Sequence, residues 1–146
     1  HLYTDGCPKL KSMPPKLGKL TRLQTIIYFV VAVMGPDCSD VAELQDLNLG
    51  GKPELCQAEN VIEAEAKVSN LGNKKDLREL ALRWTSICES KVLDNFKPHD
   101  GLQFLKIHFY GGECIGMLQN MVEIHLFIVE DCNFCSDVVH PLLFQN

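Results

Sequence analysis

The sequence predicts an α/β repeat fold, and three observations support this prediction. An apolar phrase, L-x-x-L-x-L, recurs along the chain at the spacing typical of repeat proteins, about 20 to 50 residues. A stretch rich in β-branched and aromatic residues, IIYFVVAVM, has strand composition. Helix signals lie between the strand-like segments. Together they predict a leucine-rich-repeat solenoid, with a parallel concave sheet and short helices or irregular segments on the convex side. The copies of the phrase are Leu77/Leu80/Leu82, Leu102/Leu105/Ile107 and Met121/Ile124/Leu126, with looser copies at Leu23/Ile26/Tyr28 and Leu44/Leu47/Leu49.

The first unit spans residues 1–23. Leu2 and Thr4 occupy strand positions, and Cys7 stands where such repeats place Asn or Cys, so it is predicted to be buried as the chain leaves the strand. Four apolar residues then point back into the core along the convex side: Leu10, Met13, Leu17 and Leu20.

The second unit begins with Ile26–Met34, a run about half as long as a membrane span and therefore predicted to be a buried strand. Gly35-Pro36-Asp37 ends it. A short helical turn is predicted from Ser39 through Leu47. Pro53 lacks a backbone donor, so the segment KPELCQAEN is predicted to be an edge strand or irregular.

The clearest predicted helix runs from Val61 to Leu71, with Asn60 as N-cap and Gly72 as the C-terminal stop. Its predicted inward face is Val61, Ala64, Val68 and Leu71. A second helical piece, SKVLDNF, precedes Pro98. The whole chain, 1–146, is predicted to be one domain fragment of about five to six irregular repeats, in which residues 133–146 form a degenerate tail.

The composition of the chain limits the classes of function that it can have. Apolar residues make up 46% of the chain and charged residues 23%, as in globular proteins. The net charge of -5 argues against nucleic-acid binding. No membrane span and no signal peptide are predicted. The seven cysteines are odd in number and irregularly spaced, and there is no N-x-S/T site, so we expect reduced thiols and a cytoplasmic location.

Three segments resemble plant intracellular disease-resistance proteins of the coiled-coil, nucleotide-binding, leucine-rich-repeat family. These are NVIEAEAKVSNLGNKKDLRELALRWT, VLDNFKPHDGLQFLKIHFYGG and MLQNMVEIHLFIVEDC, and HLYTDGCPKLKSMPPKLGKLTRLQTIIYFVV is similar to the family's early repeats. The resemblance covers the chain from His1 to about Cys132. It implies that the repeats inhibit the receptor's own nucleotide-binding module and help to recognise a pathogen effector, directly or through a guarded host protein.

In that family ADP or ATP is held elsewhere, in a module marked by a G-x-x-x-x-G-K-[ST] loop. Neither Gly50-Gly51-Lys52 nor Gly111-Gly112 has that spacing and ending. No cofactor is therefore expected in this segment, and nucleotide is expected only in the nucleotide-binding module of a longer parent.

Two groups of residues suggest metal binding or catalysis, and a structural role is the preferred interpretation for both. Cys132-x-x-Cys135 with His140 lacks the second ligand pair of a zinc site and the helix N-terminus after a strand that a redox dithiol needs, so it fits repeat-associated cysteines. His99, His108 and His125 belong to no catalytic motif, and the last two are predicted to be surface residues of neighbouring strands. The sequence therefore predicts neither an enzyme nor a metal site.

The predicted binding surface consists of the residues between the inward leucines, which face outward because side chains alternate along a strand. Aromatic residues and arginine on one curved sheet are typical of partner hot spots. An alternative is that some of these aromatics pack against flanking loops. The alternative function is an adaptor of a ubiquitin-ligase or other scaffold complex, although the chain shows no F-box-like helical segment. The predicted partner-binding residues are Glu79, Ala81, Arg83, Trp84, Phe104, Lys106, His108, Phe109, Glu123, His125 and Phe127.

Overall fold

The chain folds around a five-stranded parallel sheet whose strands lie side by side in sequence order. The structure is a computed structural model that describes residues 1–4, 6, 7, 9–33, 35, 37–88, 92–111 and 126–130, with residues 87, 88 and 126–130 described by their backbone only. An isolated bridge between Leu2 and Ile26 joins the first unit to this sheet. The strands are β1 Tyr28–Val30, β2 Glu54–Cys56, β3 Glu79–Cys88, β4 Phe104–Tyr110 and β5 Leu126–Glu130.

Short helical segments connect the strands, as the α/β prediction requires. The predicted turn through Leu47 is confirmed: the Asp40 side chain caps it by accepting a hydrogen bond from the Ala42 N–H at 2.9 Å. The predicted helical piece SKVLDNF before Pro98 is confirmed for Leu93–Phe96, whereas Ser90 and Lys91 lie outside the described residues. The α-helices are α1 Glu63–Val68 and α2 Leu93–Phe96, and the 3₁₀ helices are Leu17–Lys19, Val41–Asp46, Ala58–Asn60 and Leu71–Asn73.

The two best copies of the apolar phrase form the centre of the core. Leu80 pairs in register with Leu105, and Leu82 pairs with Ile107. All six residues of these copies are fully buried: Leu77, Leu80, Leu82, Leu102, Leu105 and Ile107. Because each repeat presents leucines at the same height, stacking buries a row that no single repeat could cover alone.

In the earlier copy, predicted at Leu23/Ile26/Tyr28, the third inward residue is Phe29 and not Tyr28. Leu23 and Ile26 are buried, but the residue beside Leu55 of β2 is Phe29, which is 1% exposed. Tyr28 is half-buried and faces the other side of the sheet. The chain bends at Ile27, so one extra residue separates the inward positions.

The copy at Leu44/Leu47/Leu49 is not a strand. Leu44 lies within the 3₁₀ helix Val41–Asp46, and Leu47 caps that helix. All three leucines are buried, so they do fill the core, but from the helical side. Spacings of three and two residues suit a tight helical turn followed by extended chain as well as they suit a strand.

The strand of that unit is β2, in the segment predicted to be an edge or irregular. It lies between β1 and β3, so the edge prediction is wrong. Pro53 is tolerated because it stands just before the strand, where its carbonyl accepts a hydrogen bond from the Ala81 N–H at 3.0 Å. The next residue, Glu54, donates its N–H to the Ile27 carbonyl at 2.8 Å.

The predicted helix Val61–Leu71 is present only as the shorter α1. Asn60 is not its N-cap: it ends a 3₁₀ helix and donates its side-chain amide to the Val31 carbonyl at 2.8 Å. The predicted inward face is partly wrong, because Ala64 and Val68 are exposed whereas Ala66 is fully buried. Asn70 adopts a left-handed conformation that ends α1 before Leu71.

The first unit follows its prediction in part. Met13 and Leu17 are buried, and Leu10 packs partly against the core. Leu20, predicted to point inward, is an exposed residue. Cys7, predicted to be buried, is also exposed.

Polar contacts between neighbouring repeats hold the helical side together. The Glu43 carboxylate accepts hydrogen bonds from the backbone N–H groups of Lys16 at 2.9 Å and Gly18 at 2.7 Å. Lys74, which is buried, donates to the Leu47 carbonyl at 2.7 Å and to the Gln45 carbonyl at 3.3 Å. Burial lowers the pKa of the Lys74 amine, partly offset by the charge of Asp46. A charged group thus bridges each of these two repeat junctions.

Candidate partner-binding face

The face of the sheet opposite the leucine core carries three rows of side chains that run across the strands. We call it the open face. The backbone register fixes these rows because residues that pair across parallel strands stand at the same height. The rows are Glu79/Phe104, then Tyr28/Glu54/Ala81/Lys106, then Val30/Cys56/Arg83/His108.

Glu79 is the electrostatic centre of the open face. Its carboxylate contacts Lys52 Nζ at 3.0 Å and Lys106 Nζ at 2.6 Å, and its side chain is only 12% exposed. Burial raises the pKa of Glu79, but the hydrogen bonds and charges of Lys106 and Lys52 outweigh that effect and leave the pKa below its usual value. The Lys52 amine also lies 6.0 Å from the centre of the Phe104 ring, near the limit for a cation–π contact.

A second ion pair joins β2 to β3. Arg83 Nε contacts the Glu54 carboxylate at 2.5 Å, and 39% of the Arg83 side chain is exposed. The Cys56 thiol lies 3.8 Å from the same carboxylate. Burial and the Glu54 charge raise the pKa of Cys56 to about 11, more than the Arg83 charge lowers it. The thiol is therefore protonated at neutral pH and is a poor nucleophile.

An open groove of about 760 Å³ lies between the first unit and strands β1 to β4. Its walls come from the first unit, from β1, from the end of β2, from the middle of β3 and from Phe109 of β4. Among the described residues that line it, Arg83 is the one that carries a charge. The lining residues are Thr4, Gly6, Cys7, Leu10, Tyr28, Val30, Cys56, Gln57, Arg83, Trp84, Thr85 and Phe109.

The structure brings four of the predicted partner-binding residues together on the open face as half-buried side chains, of which Glu79 is only 12% exposed: Glu79, Arg83, Phe104 and Lys106. Ala81 has the predicted register but is only 6% exposed, because Glu54 and Lys106 flank it in the same row. His108 also has the predicted register but is 7% exposed, so its ring is not an accessible contact.

Trp84 is not on the surface, and that prediction is wrong. Strand β3 continues to Cys88, so Trp84 shares the inward phase of Leu80 and Leu82 and is fully buried. Its ring lies 4.7 Å from that of Tyr110, also fully buried. Among the residues that the structure describes, no acceptor lies within hydrogen-bond range of the indole N–H.

Phe109 is half-buried and lies at the groove, packed partly against the core. Its φ of 61° breaks the alternation of β4, and a register shift follows Arg83 on the neighbouring strand. As a result Tyr110, one residue further on, takes the inward position beside Trp84. The alternative predicted that such aromatics pack against flanking loops, whereas Trp84 packs in the core against Tyr110 of β4 and Phe109 packs partly against the core.

The predicted inward and outward positions of the last strand do not match the register of β5. Phe127, predicted to face outward, pairs with the inward Leu105, and Leu126 pairs with the outward Phe104. The phrase read at Met121/Ile124/Leu126 is therefore three residues out of register with β4. The other two predicted residues, Glu123 and His125, lie outside the described residues.

Sequence reasoning missed the contribution of β2 and its neighbours. Lys52 and Glu54 take part in two of the three ion pairs found among the described residues of the open face, and Tyr28 and Val30 line the groove. Glu54 and Cys56 flank the buried Leu55, and this alternation is the pattern of a strand. The strand was not predicted because Pro53 was given more weight than this pattern.

The residues considered for chemistry have structural roles where the structure describes them. His99 Nε2 lies 2.6 Å from the Leu77 carbonyl and Nδ1 lies 3.0 Å from the Gly101 N–H, so the ring shapes the turn before β4. Within the described side chains, no group of three His, Cys, Asp or Glu could hold a metal ion. Cys132, Cys135 and His140 lie outside that part of the chain. Across the described residues, no helix is long and apolar enough to cross a membrane.

Comparisons with known proteins agree with this architecture. A family model described as R13L1/DRL21 LRRs matches residues 41–144. Three similar proteins come from Solanum bulbocastanum: the putative disease resistance protein RGA4 (36% identical, 77% of this chain, 12% of the relative), the putative disease resistance protein RGA1 (33%, 85% and 14%) and the disease resistance protein RGA2 (34%, 80% and 13%). The chain thus spans only about an eighth of the length of these relatives. No solved structure matches the chain. The sequence match over most of the chain and the parallel sheet of stacked leucines together show that it belongs to the R13L1/DRL21 family of leucine-rich repeats, the repeat region of plant disease-resistance proteins.

Proposed function

We propose that this chain is a non-catalytic recognition and regulation segment of a cytoplasmic plant immune receptor. Its partners are a pathogen effector or a guarded host protein, and the nucleotide-binding module of the same receptor. Partner contacts act by population shift: a partner that binds the active arrangement more tightly than the inhibited one moves the receptor towards activity. The relatives named above are resistance proteins, which supports this function over the ubiquitin-ligase adaptor.

The observation that carries the proposal is the Glu79 cluster. Lys52 from the entry to β2 and Lys106 from β4 converge on one carboxylate, so side chains from three repeats are held in fixed positions on the open face. Because these long side chains are already ordered, less conformational entropy is lost when a partner binds. Phe104 beside them adds a half-buried aromatic side chain that a partner can contact.

A binding assay with matched charge reversals tests this proposal. We would immobilise the 146-residue chain and measure its affinity for a purified nucleotide-binding module of a disease-resistance protein by biolayer interferometry. Lys106→Glu on the open face is expected to weaken binding by about tenfold, equivalent to about 1.4 kcal/mol. Lys67→Glu, at an exposed position on α1, is the control and should leave the affinity unchanged.

Circular dichroism of each variant separates lost binding from lost folding. The proposal predicts that Lys106→Glu keeps its spectrum while it loses affinity. Binding that survives Lys106→Glu but is lost with Lys67→Glu would place the contact on the helical side and contradict the proposal.

A further inference from the structure

The groove differs from the rest of the open face in its charge. The flat part of the sheet balances two lysines against Glu79, whereas the groove is lined by apolar, aromatic and uncharged polar side chains and by one guanidinium, which Glu54 pairs on one edge. The chain as a whole carries a net charge of -5, whereas none of the described residues that line the groove carries a carboxylate. This combination selects for a ligand that is apolar along its length and negatively charged at one point.

Arg83 is positioned to receive that negative charge. Its Nε is used by Glu54, and this bond fixes the orientation of the planar group. Within the described part of the chain, no acceptor is recorded for its two terminal amino groups, and the side chain is 39% exposed. A guanidinium held on one edge can offer its other edge to a carboxylate as a pair of parallel hydrogen bonds.

The walls of the groove suit an apolar side chain beside that carboxylate. Tyr28 and Val30 from β1, Leu10 from the first unit and Phe109 from β4 surround the space. The volume of about 760 Å³ falls within the range of about 300 to 1,000 Å³ that is usual for ligand sites, and the groove is open rather than enclosed. The protonated Cys56 thiol adds no negative charge to this lining. An extended peptide can therefore enter from solvent and bury one large side chain.

We propose that the groove binds a peptide segment of a partner protein in which an aromatic or large aliphatic residue stands next to an aspartate or glutamate. The apolar side chain lies between Leu10, Val30 and Phe109, and the carboxylate pairs with the terminal amino groups of Arg83. This inference rests on the proposed function and narrows the class of partner for one part of the same surface.

A selection from random displayed peptides tests the inference. The 146-residue chain is the target, and enriched peptides are then synthesised and titrated against purified chain by fluorescence anisotropy. We expect enriched peptides to carry an acidic residue beside an aromatic or aliphatic one. Replacing that acidic residue by its amide is expected to weaken binding about tenfold.

Variants of the chain locate the contact. Arg83→Gln is expected to weaken binding of these peptides about tenfold, whereas Arg78→Gln, an exposed arginine outside the groove, is the control and should not. Gln57 lines the groove without charge, so it supports opposite tests: Gln57→Glu should weaken binding and Gln57→Lys should strengthen it. A circular dichroism melt confirms that each variant is folded before it is titrated.

Four outcomes would overturn the inference. Selection could enrich basic peptides, or no peptides at all. Enriched peptides could depend on Lys106 and not on Arg83, in which case the open face still binds proteins and only the groove assignment fails. Inorganic phosphate could bind as tightly as the peptides with the same dependence on Arg83, which would make the site a general anion site. Because the assay with the nucleotide-binding module does not use the groove variants, failure here leaves the proposed function separately testable.

Discussion

Replacing Glu43 by alanine should weaken the junction between the first two convex segments. Its carboxylate accepts two backbone hydrogen bonds from the neighbouring repeat, at 2.9 Å from Lys16 N and 2.7 Å from Gly18 N. Hydrogen bonds to a charged group each contribute about 1.5 to 3 kcal/mol. The Lys16 end is exposed, where water replaces the lost partner, so we count that bond at less than half of this range. The expected loss is about 2 kcal/mol.

Urea denaturation followed by circular dichroism measures this loss. With a slope of about 2 kcal/mol per molar urea, the midpoint should fall by about 1 M. Glu43→Gln keeps one acceptor oxygen and should lose about half as much. Glu63→Gln, at an exposed position of α1, is the matched control and should change the stability by less than about 0.5 kcal/mol. A Glu43→Ala chain with the same midpoint as the control would refute the view that this carboxylate joins the repeats.

Three other predictions follow from the packing and the ion pairs. A Cβ at Gly18 would lie 2.7 Å from the Glu43 carbonyl oxygen, so Gly18→Ala should cost about 1 to 3 kcal/mol by urea denaturation. Gly35→Ala should be near neutral, because the nearest described atoms would lie 3.9 Å from its Cβ. Because the pKa of Glu79 is lowered in the folded chain, its stabilisation is present above its ordinary pKa of 4.5 and is lost as the pH falls below it. Glu79→Gln should therefore flatten the fall in stability on acidification, and an unchanged slope would contradict the Glu79 ion pairs. Trp84, the single tryptophan, should show blue-shifted emission and little acrylamide quenching, and strong quenching would contradict its burial.

The sequence was sufficient to predict the parts of the fold where the repeat is regular. Leu77, Leu80 and Leu82 are buried as predicted because an undistorted strand preserves the alternation of its side chains. The same alternation correctly placed Arg83 and Lys106 on the open face.

The errors arose where the backbone departs from regular geometry. An extra residue at the Ile27 bend moved the inward position from Tyr28 to Phe29, and the left-handed conformation of Phe109 moved it to Tyr110. Such local insertions depend on tertiary contacts, which apolar spacing alone does not reveal. The prediction for Trp84 failed for a different reason. It placed the end of β3 before Trp84, whereas the strand continues to Cys88.

The groove could not be predicted from any one segment. Leu10, Tyr28, Gln57 and Phe109 come from four different repeats, and only the stacking of the repeats brings them together. The ion pairs of Glu79 have the same origin, since Lys52 and Lys106 are far apart in sequence. In a repeat protein the apolar pattern specifies the scaffold, whereas the surface depends on residues that vary between repeats.

Hydrogen–deuterium exchange of the 146-residue chain, with and without a bound nucleotide-binding module from a disease-resistance protein, tests the central claim most directly. If the open face is the recognition surface, slowed exchange should appear in residues 79–83 and 104–108, which carry the Glu79 cluster and Arg83. Residues 63–68 of α1, on the helical side, should exchange as before. Protection confined to α1, with no change in β3 and β4, would contradict the assignment of partner recognition to the open face.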